Sequence, residues 1–329
     1  MIAVISLAFG VDKQKSFWGN YYRDDGLITY LHFFGFFLFL SLFWKNKWKD
    51  LVVVAISFAS VITSFWSIYL GFSFYILKNV NVNNWHGAIG GFFNQPKFLS
   101  GYLLITLPFV AYWFYQKNTS KLLVGALFIV QIIAIGLTFS LAGIIGAVIY
   151  CTYIVYGQIK NVKIKKLLVV LFLIFLFTSG YFIKNRFFFD QISNQGYVAQ
   201  SRQRIIVKLL FASLKKPFLG WGWANVDRAF ESVVYPYPIR SDIYVDKAHS
   251  ALLEVMTTTG IFGLIAYLLI IFFTLKQLIK KIKSGSTNQV WWITLFSAFV
   301  IYLFHSQTNV ISIQEELMFW LILGIVSCD

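Results

Sequence analysis

The chain has 329 residues, 58% hydrophobic, 20% aromatic and only 12% charged, with a mean hydropathy of +0.70. A soluble domain carries about 25% charged residues, so this composition excludes an ordinary soluble fold and implies a polytopic membrane protein. The net charge of +15 does not indicate a nucleic-acid partner, because the basic residues gather in short loops between apolar runs, where membrane topology puts them.

Met1–Val11 is apolar but has neither a basic start nor a cleavage site, so it reads as the end of a spanning helix cut short rather than a signal peptide. A span needs about 20 mostly apolar residues. The runs that qualify are Leu27–Trp44, Leu51–Phe72, Phe98–Tyr115, Leu122–Phe139, Leu141–Tyr156, Leu167–Ile183, Ser250–Leu275, Val290–Gln307 and the shorter Glu316–Val326. The expected fold is therefore all-α and polytopic, with about nine to ten transmembrane helices.

Lysines cluster in four loops, at Lys45–Lys49, Lys117–Lys121, Lys160–Lys166 and Lys276–Lys283, which sets those loops on the cytoplasmic side. Asp12–Gly26, Ser73–Lys97 and Lys184–Asp246 then lie outside the cytoplasm. The expected organisation is an N-terminal transmembrane bundle over 1–183, one long extracytoplasmic loop over 184–249 and C-terminal transmembrane helices over 250–329. So long a polar loop, rich in aromatic and charged residues, reads as functional rather than a plain connector.

Within the loop, Ile205, Ile206, Leu209, Leu210 and Leu214 recur at helical spacing, with Arg202, Arg204 and Lys208 off that stripe. Ser201–Lys216 is thus expected to be an amphipathic helix at the membrane surface, ended by Pro217, with Gly220 and Gly222 permitting a tight turn. Cys151 and Cys328 are far apart and belong to no Cys/His cluster, so neither a disulfide nor a metal site is expected, and no cofactor.

Few residues in so apolar a chain can carry chemistry. The guanidinium of Arg202 or Arg204 can fork onto a phosphate and keeps its charge, although both side chains could also just contact anionic headgroups. His249, at the entry to a span, can take a proton from a hydroxyl, or can simply bind interfacial water. Glu254, inside that span, is a costly ionisable group and so a binding candidate. Trp221 and Trp223, with Tyr235 and Tyr237, offer flat faces for sugar rings, or form an interfacial aromatic belt. His32 and His305 lie in spans and are expected to face other helices; neither they nor His86 is given a catalytic role.

Taken in order, these motifs resemble the core shared by O-antigen ligases and O-antigen polymerases. Arg202 is followed by an apolar helix and by the Pro-x-x-Gly-x-Gly pattern of Pro217, Gly220 and Gly222. His249 and Ser250 then open a helix with Gly260 and Gly263. Gly19–Leu27 (GNYYRDDGL) and Phe93–Pro108 (FNQPKFLSGYLLITLP) resemble two further stretches of that family. The departures are specific: Leu141 follows Ser140 where the family has Arg, Ser250 stands for an Asn after the His, and Lys97 stands for an Asn after Pro96. One or more spans of a full-length member are expected to be absent from the chain.

The resemblance implies a membrane glycosyltransferase of the lipid-donor type in the bacterial cytoplasmic (inner) membrane, with its active-site loop on the extracytoplasmic side. Its donor would be a glycan on polyprenyl pyrophosphate, and its acceptor a hydroxyl on a glycan or lipid-anchored acceptor. It implies Arg202 and His249 as catalytic residues, with Arg204, Glu254, Trp221 and Trp223 binding substrate. Joining of repeat units by a polymerase, or non-enzymatic binding or transport of a lipid-linked glycan, are the alternatives.

Overall fold

The apolar runs fold as helices, and no strand occurs among the described residues. The computed structural model describes residues 2–21, 23–77, 89–116, 119–163, 165–167, 170, 202–234, 244–284 and 288–328. In chain order the helices are α1 (Ile2–Phe9), α2 (Lys13–Trp18), α3 (Leu27–Phe43), α4 (Lys49–Tyr75), α5 (Pro96–Tyr112), α6 (Lys121–Leu137), α7 (Leu141–Gln158), α8 (Arg202–Lys215), α9 (Val226–Glu231), α10 (Ala251–Lys283), α11 (Gln289–Ser306) and α12 (Ile313–Ser327). Every expected span forms a helix except Leu167–Ile183, which lies almost wholly outside the described residues. Four helical segments are long and apolar enough to cross a membrane, those of α4, α5, α10 and α11; α3, α6 and α7 are shorter apolar helices. The protein is an all-helical polytopic membrane protein.

Helix starts follow from local chemistry. Ser120, Ser140 and Ser250 accept from backbone N–H groups in the first turns of α6, α7 and α10, and Ser312 with Glu315 forms a reciprocal capping box on α12. Pro96 sits in the first turn of α5, where a missing N–H costs nothing.

The side chains are arranged inside-out relative to a soluble bundle. On α4, Ser57, Ser60, Thr63, Ser64 and Ser67 are buried, while Phe58, Ile62, Phe65 and Tyr69 are exposed. Small hydroxyl residues let helix backbones approach closely, and large apolar ones face lipid at no cost, which is the membrane solution to packing. On α10, Phe262, Ile265, Leu269 and Phe272 likewise point outward. The hub is α5, buried from Leu99 to Tyr112 except at the half-buried Tyr102, and packed against α4, α6, α7, α11 and α12.

A second, smaller core lies beside this bundle. Ile205, Leu209 and Ala212 of α8 pack with Trp221, Val226 and Phe230, and with Val245, Ala248 and Leu253 at the start of α10. The stripe expected on α8 is thereby split. Ile205 and Leu209 face the protein, whereas Ile206, Leu210 and Leu214 are exposed. Lys208, expected on the polar side, is buried with its ammonium 3.8 Å from the Phe230 ring centroid. His32 is exposed rather than facing another helix, its Nδ1–H donating to the Ile28 carbonyl one turn back.

The glycine motifs explain how the small core is fixed to the bundle. Helix α10 breaks at Gly260 (φ 68°, ψ −167°), a conformation open essentially to glycine alone. The break frees backbone groups, and the 217–222 turn takes them up. Trp221 N–H donates to Thr257 O (2.9 Å), Gly222 N–H to Thr258 O (2.9 Å), and Ile261 N–H to Pro217 O (2.8 Å). A Cβ at Gly260 would lie 2.2 Å from Phe218 O, and one at Gly220 2.4 Å from the Thr258 carbonyl carbon. Gly260→Ala therefore combines forbidden dihedrals with overpacking. We expect it to cost about 2–4 kcal/mol, read as a lower unfolding temperature in detergent. An unchanged transition would show that the turn and the break do not lock.

Candidate functional site

One end of the bundle gathers the Lys-rich loops: Lys49 Nζ donates to Asn288 Oδ1 (3.2 Å) and Lys281 Nζ to Cys328 O (2.6 Å). The opposite end gathers the segments singled out in the sequence. It is built from the loop before α3, the first turns of α5, α8, α10 and α12, and the chain just past α11.

The loop before α3 is tied to the segment entering α10 by ion pairs. Arg23 Nε meets Asp246 Oδ2 at 2.8 Å, and Lys247, buried, bridges Asp25 and Glu254, reaching Glu254 Oε1 at 2.6 Å. Burial disfavours the Lys247 charge, but Glu254 and Asp25 outweigh it and hold the ammonium above its ordinary pKa. Burial likewise pushes the Asp25 carboxyl up, yet Lys247 brings it below its ordinary value. Glu254 thus belongs to a closed ion triad in the cavity wall.

His249 follows directly, in the left-handed region at φ 56°. Such a backbone is uncommon for a residue with a side chain and marks a position held by its surroundings. It turns the chain into α10, where Ser250 caps Leu253 N–H and donates to Gln307 Oε1 (2.9 Å). Burial first, then the charges of Arg202, Lys97 and Arg23, press the imidazole down to about 4, against an opposing pull from Asp246. At neutral pH it is uncharged within a cationic field.

Arg202, in the first turn of α8, reaches across to the chain after α11. Its Nη1 donates to Thr308 O (2.6 Å) and its Nη2 to Asn309 Oδ1 (3.0 Å). Those acceptors lie just past a helix C-terminus, where a cation is favoured. The remaining guanidinium N–H groups are donors of the kind that pair with anions.

Beside this cluster a cavity of about 450 Å³ runs into the bundle. Arg23, Lys247, Glu254 and Asn309 line its polar part; Tyr30, Phe33, Phe98, Trp223, Phe319 and Trp320 line its apolar part. Trp223 is anchored there by an indole N–H bond to Asp25 O (2.8 Å) and an edge contact with Tyr30.

The structure therefore brings Arg202, His249, Glu254 and Trp223 to one end of the molecule. Trp221 stands apart: it is buried in the small core, and its indole N–H donates to Ala212 O (2.8 Å). The side chain of Arg204, with Tyr235, Tyr237 and His86, lies outside the described residues. Residues the sequence reading did not single out complete the cluster. Arg23 and Lys97 stand inside the two stretches already noted, Gly19–Leu27 and Phe93–Pro108, and Lys247 is two residues before His249. Their charges within short motifs were the available signal. Among the described residues no three His, Cys, Asp or Glu side chains gather as metal ligands would.

The fold and site define a polytopic membrane protein with a half-buried imidazole among cations beside a partly apolar cavity. Residues 126–268, a stretch running from α6 into α10, match the family model described as O-Antigen ligase. The chain is also 25% identical over 250 residues to the "ComP-specific O-oligosaccharyltransferase" of Acinetobacter baylyi, an alignment covering 74% of this chain and 44% of that protein. The chain thus spans less than half the length of this curated relative.

Proposed function

We propose that the protein is a glycosyltransferase that moves a glycan from a polyprenyl pyrophosphate to an acceptor hydroxyl, in the bacterial cytoplasmic membrane with its site on the extracytoplasmic side. The observation that carries this reading is the placement of the half-buried His249 within reach of the charges of Arg202, Lys97 and Arg23, at the end of the bundle where the cavity opens. The acceptor O–H attacks the anomeric carbon, the bond from that carbon to the phosphate oxygen breaks with inversion, and its electron pair leaves on the diphosphate. Arg202 and Lys97 stabilise the charge that builds there. The hydroxyl proton passes to His249. The family's Arg is absent from the turn at Ser140–Gly143, and Lys97 supplies a cation at that end of the bundle instead. The apolar cavity wall suits the polyprenyl chain, and Trp223 a sugar face. The site's position opposite the Lys-rich loops supports the extracytoplasmic assignment. The name of the Acinetobacter relative, an O-oligosaccharyltransferase, supports transfer of an oligosaccharide to oxygen over stepwise polymerisation.

The test is transfer of a labelled glycan from polyprenyl pyrophosphate in liposomes, with pH varied. A single product shift is expected; a ladder would indicate polymerisation, and binding without covalent product would overturn the enzymatic reading. Neutral imidazole is the active form, so activity is lost as pH falls through the pKa of His249. In the free enzyme that pKa is about 4, so kcat/KM stays level down to about pH 5. Bound diphosphate cancels the cations that depress it, so kcat falls at a higher pH than kcat/KM. Identical inflections in both profiles would contradict this coupling.

A further inference from the structure

Arg202 does not stand alone. Its anchor, Asn309, is buried and leads into a chain of buried polar groups that the proposed chemistry does not use. Asn309 Nδ2 lies 3.0 Å from His305 Nε2, and His305 Nδ1 lies 2.6 Å from Glu315 Oε1. His305 and Glu315 are fully enclosed, with side-chain exposures of 0% and 1%. The other carboxylate oxygen, Oε2, accepts from Ser312 N–H (2.8 Å) and Ser312 Oγ (2.9 Å), which locks Glu315 at the start of α12.

The directions of these contacts follow from one fact. A guanidinium can only donate, so the Asn309 atom facing Arg202 is the carbonyl oxygen. The amide nitrogen therefore faces His305 and donates, and Nε2 must accept. The His305 proton then sits on Nδ1, facing Glu315 at close range though off the axis of a straight hydrogen bond. Glu315 selects the tautomer, the tautomer selects the amide orientation, and the amide fixes one arm of Arg202.

The bundle makes room for this arrangement at a specific place. A Cβ on Gly101 of α5 would lie 2.1 Å from Glu315 Oε1 and 2.3 Å from His305 Cε1. A buried carboxylate and imidazole in a membrane bundle cost more than an apolar pair of the same volume, so their presence calls for a role that packing does not supply.

We infer that Glu315, His305 and Asn309 form a buried positioning relay that holds the Arg202 guanidinium in register with the departing diphosphate. This rests on the reading of Arg202 as the cation for that leaving group. The relay touches no reacting atom and acts through Arg202 alone.

The test is a double-mutant cycle on the full chain in liposomes, with single-turnover transfer from a polyprenyl-pyrophosphate-linked glycan. Asn309→Ala is expected to lower kcat by on the order of 10- to 100-fold, the effect of a misplaced catalytic group, with KM for the donor changed far less. Combined with Arg202→Ala, it is expected to add nothing, because the group it positions is gone. Glu315→Gln keeps the shape but removes the charge that selects the tautomer. It is expected to lower kcat with the same non-additivity, and it carries the test if Asn309→Ala does not fold. Losses that multiply with that of Arg202→Ala would mean a merely structural role and overturn the relay. So would full activity in Asn309→Ala or Glu315→Gln while Arg202→Ala is impaired. Full activity in Arg202→Ala would instead remove the underlying reading.

Discussion

Arg202→Ala is expected to lower glycan transfer by about 10²–10³-fold, the usual cost of one fixed donor at a developing oxyanion. The guanidinium is held by Thr308 O and Asn309 Oδ1, so it is ordered before any substrate arrives and needs no reorganisation when charge builds. Arg202→Lys should recover only part of the loss, because an ammonium cannot keep both anchors and still fork onto phosphate. Neighbouring Lys97 and Arg23 are expected to retain some donor binding in the Ala variant, so the loss should fall mostly on kcat. Initial rates against donor concentration check this. A rise in KM with kcat unchanged would make Arg202 a docking residue and no more.

The second large effect is at His249. Asn tolerates the left-handed backbone that His249 adopts at φ 56° better than Ala does, so His249→Asn removes the base while keeping the turn into α10. We expect kcat to fall by about 10²–10⁴-fold, the range for a lost general base, with the unfolding temperature unchanged. An Asn variant that transfers glycan at the parental rate would show that the imidazole takes no proton.

The spans were legible because a membrane helix announces itself by length and composition alone, as α4 and α10 do. The small core was only half legible. The Pro217–Gly222 pattern and Gly260 could each be read as turn signals, but their mutual lock depends on hydrogen bonds such as Ile261 N–H to Pro217 O, between segments far apart in sequence. The same limit hid the relay. Arg202 and Asn309 are 107 residues apart, and nothing local to His305 signals that Glu315 will face it. Trp221 and Trp223 look alike in sequence, yet Gly222 at φ 98° lies between them, and one indole enters the small core while the other enters the cavity. The stripe on α8 could not be divided by periodicity, because Ile206, Leu210 and Leu214 continue the apolar spacing on the exposed side of the helix.

The most direct measurement separates binding from chemistry at the two central residues. Donor affinity and single-turnover transfer are measured side by side for the parent, Arg202→Ala and His249→Asn in liposomes. The account predicts that His249→Asn binds polyprenyl-pyrophosphate-linked glycan as tightly as the parent or more tightly but transfers almost none, and that Arg202→Ala is slowed in transfer beyond any loss of binding. Parental transfer rates in both folded variants would contradict it.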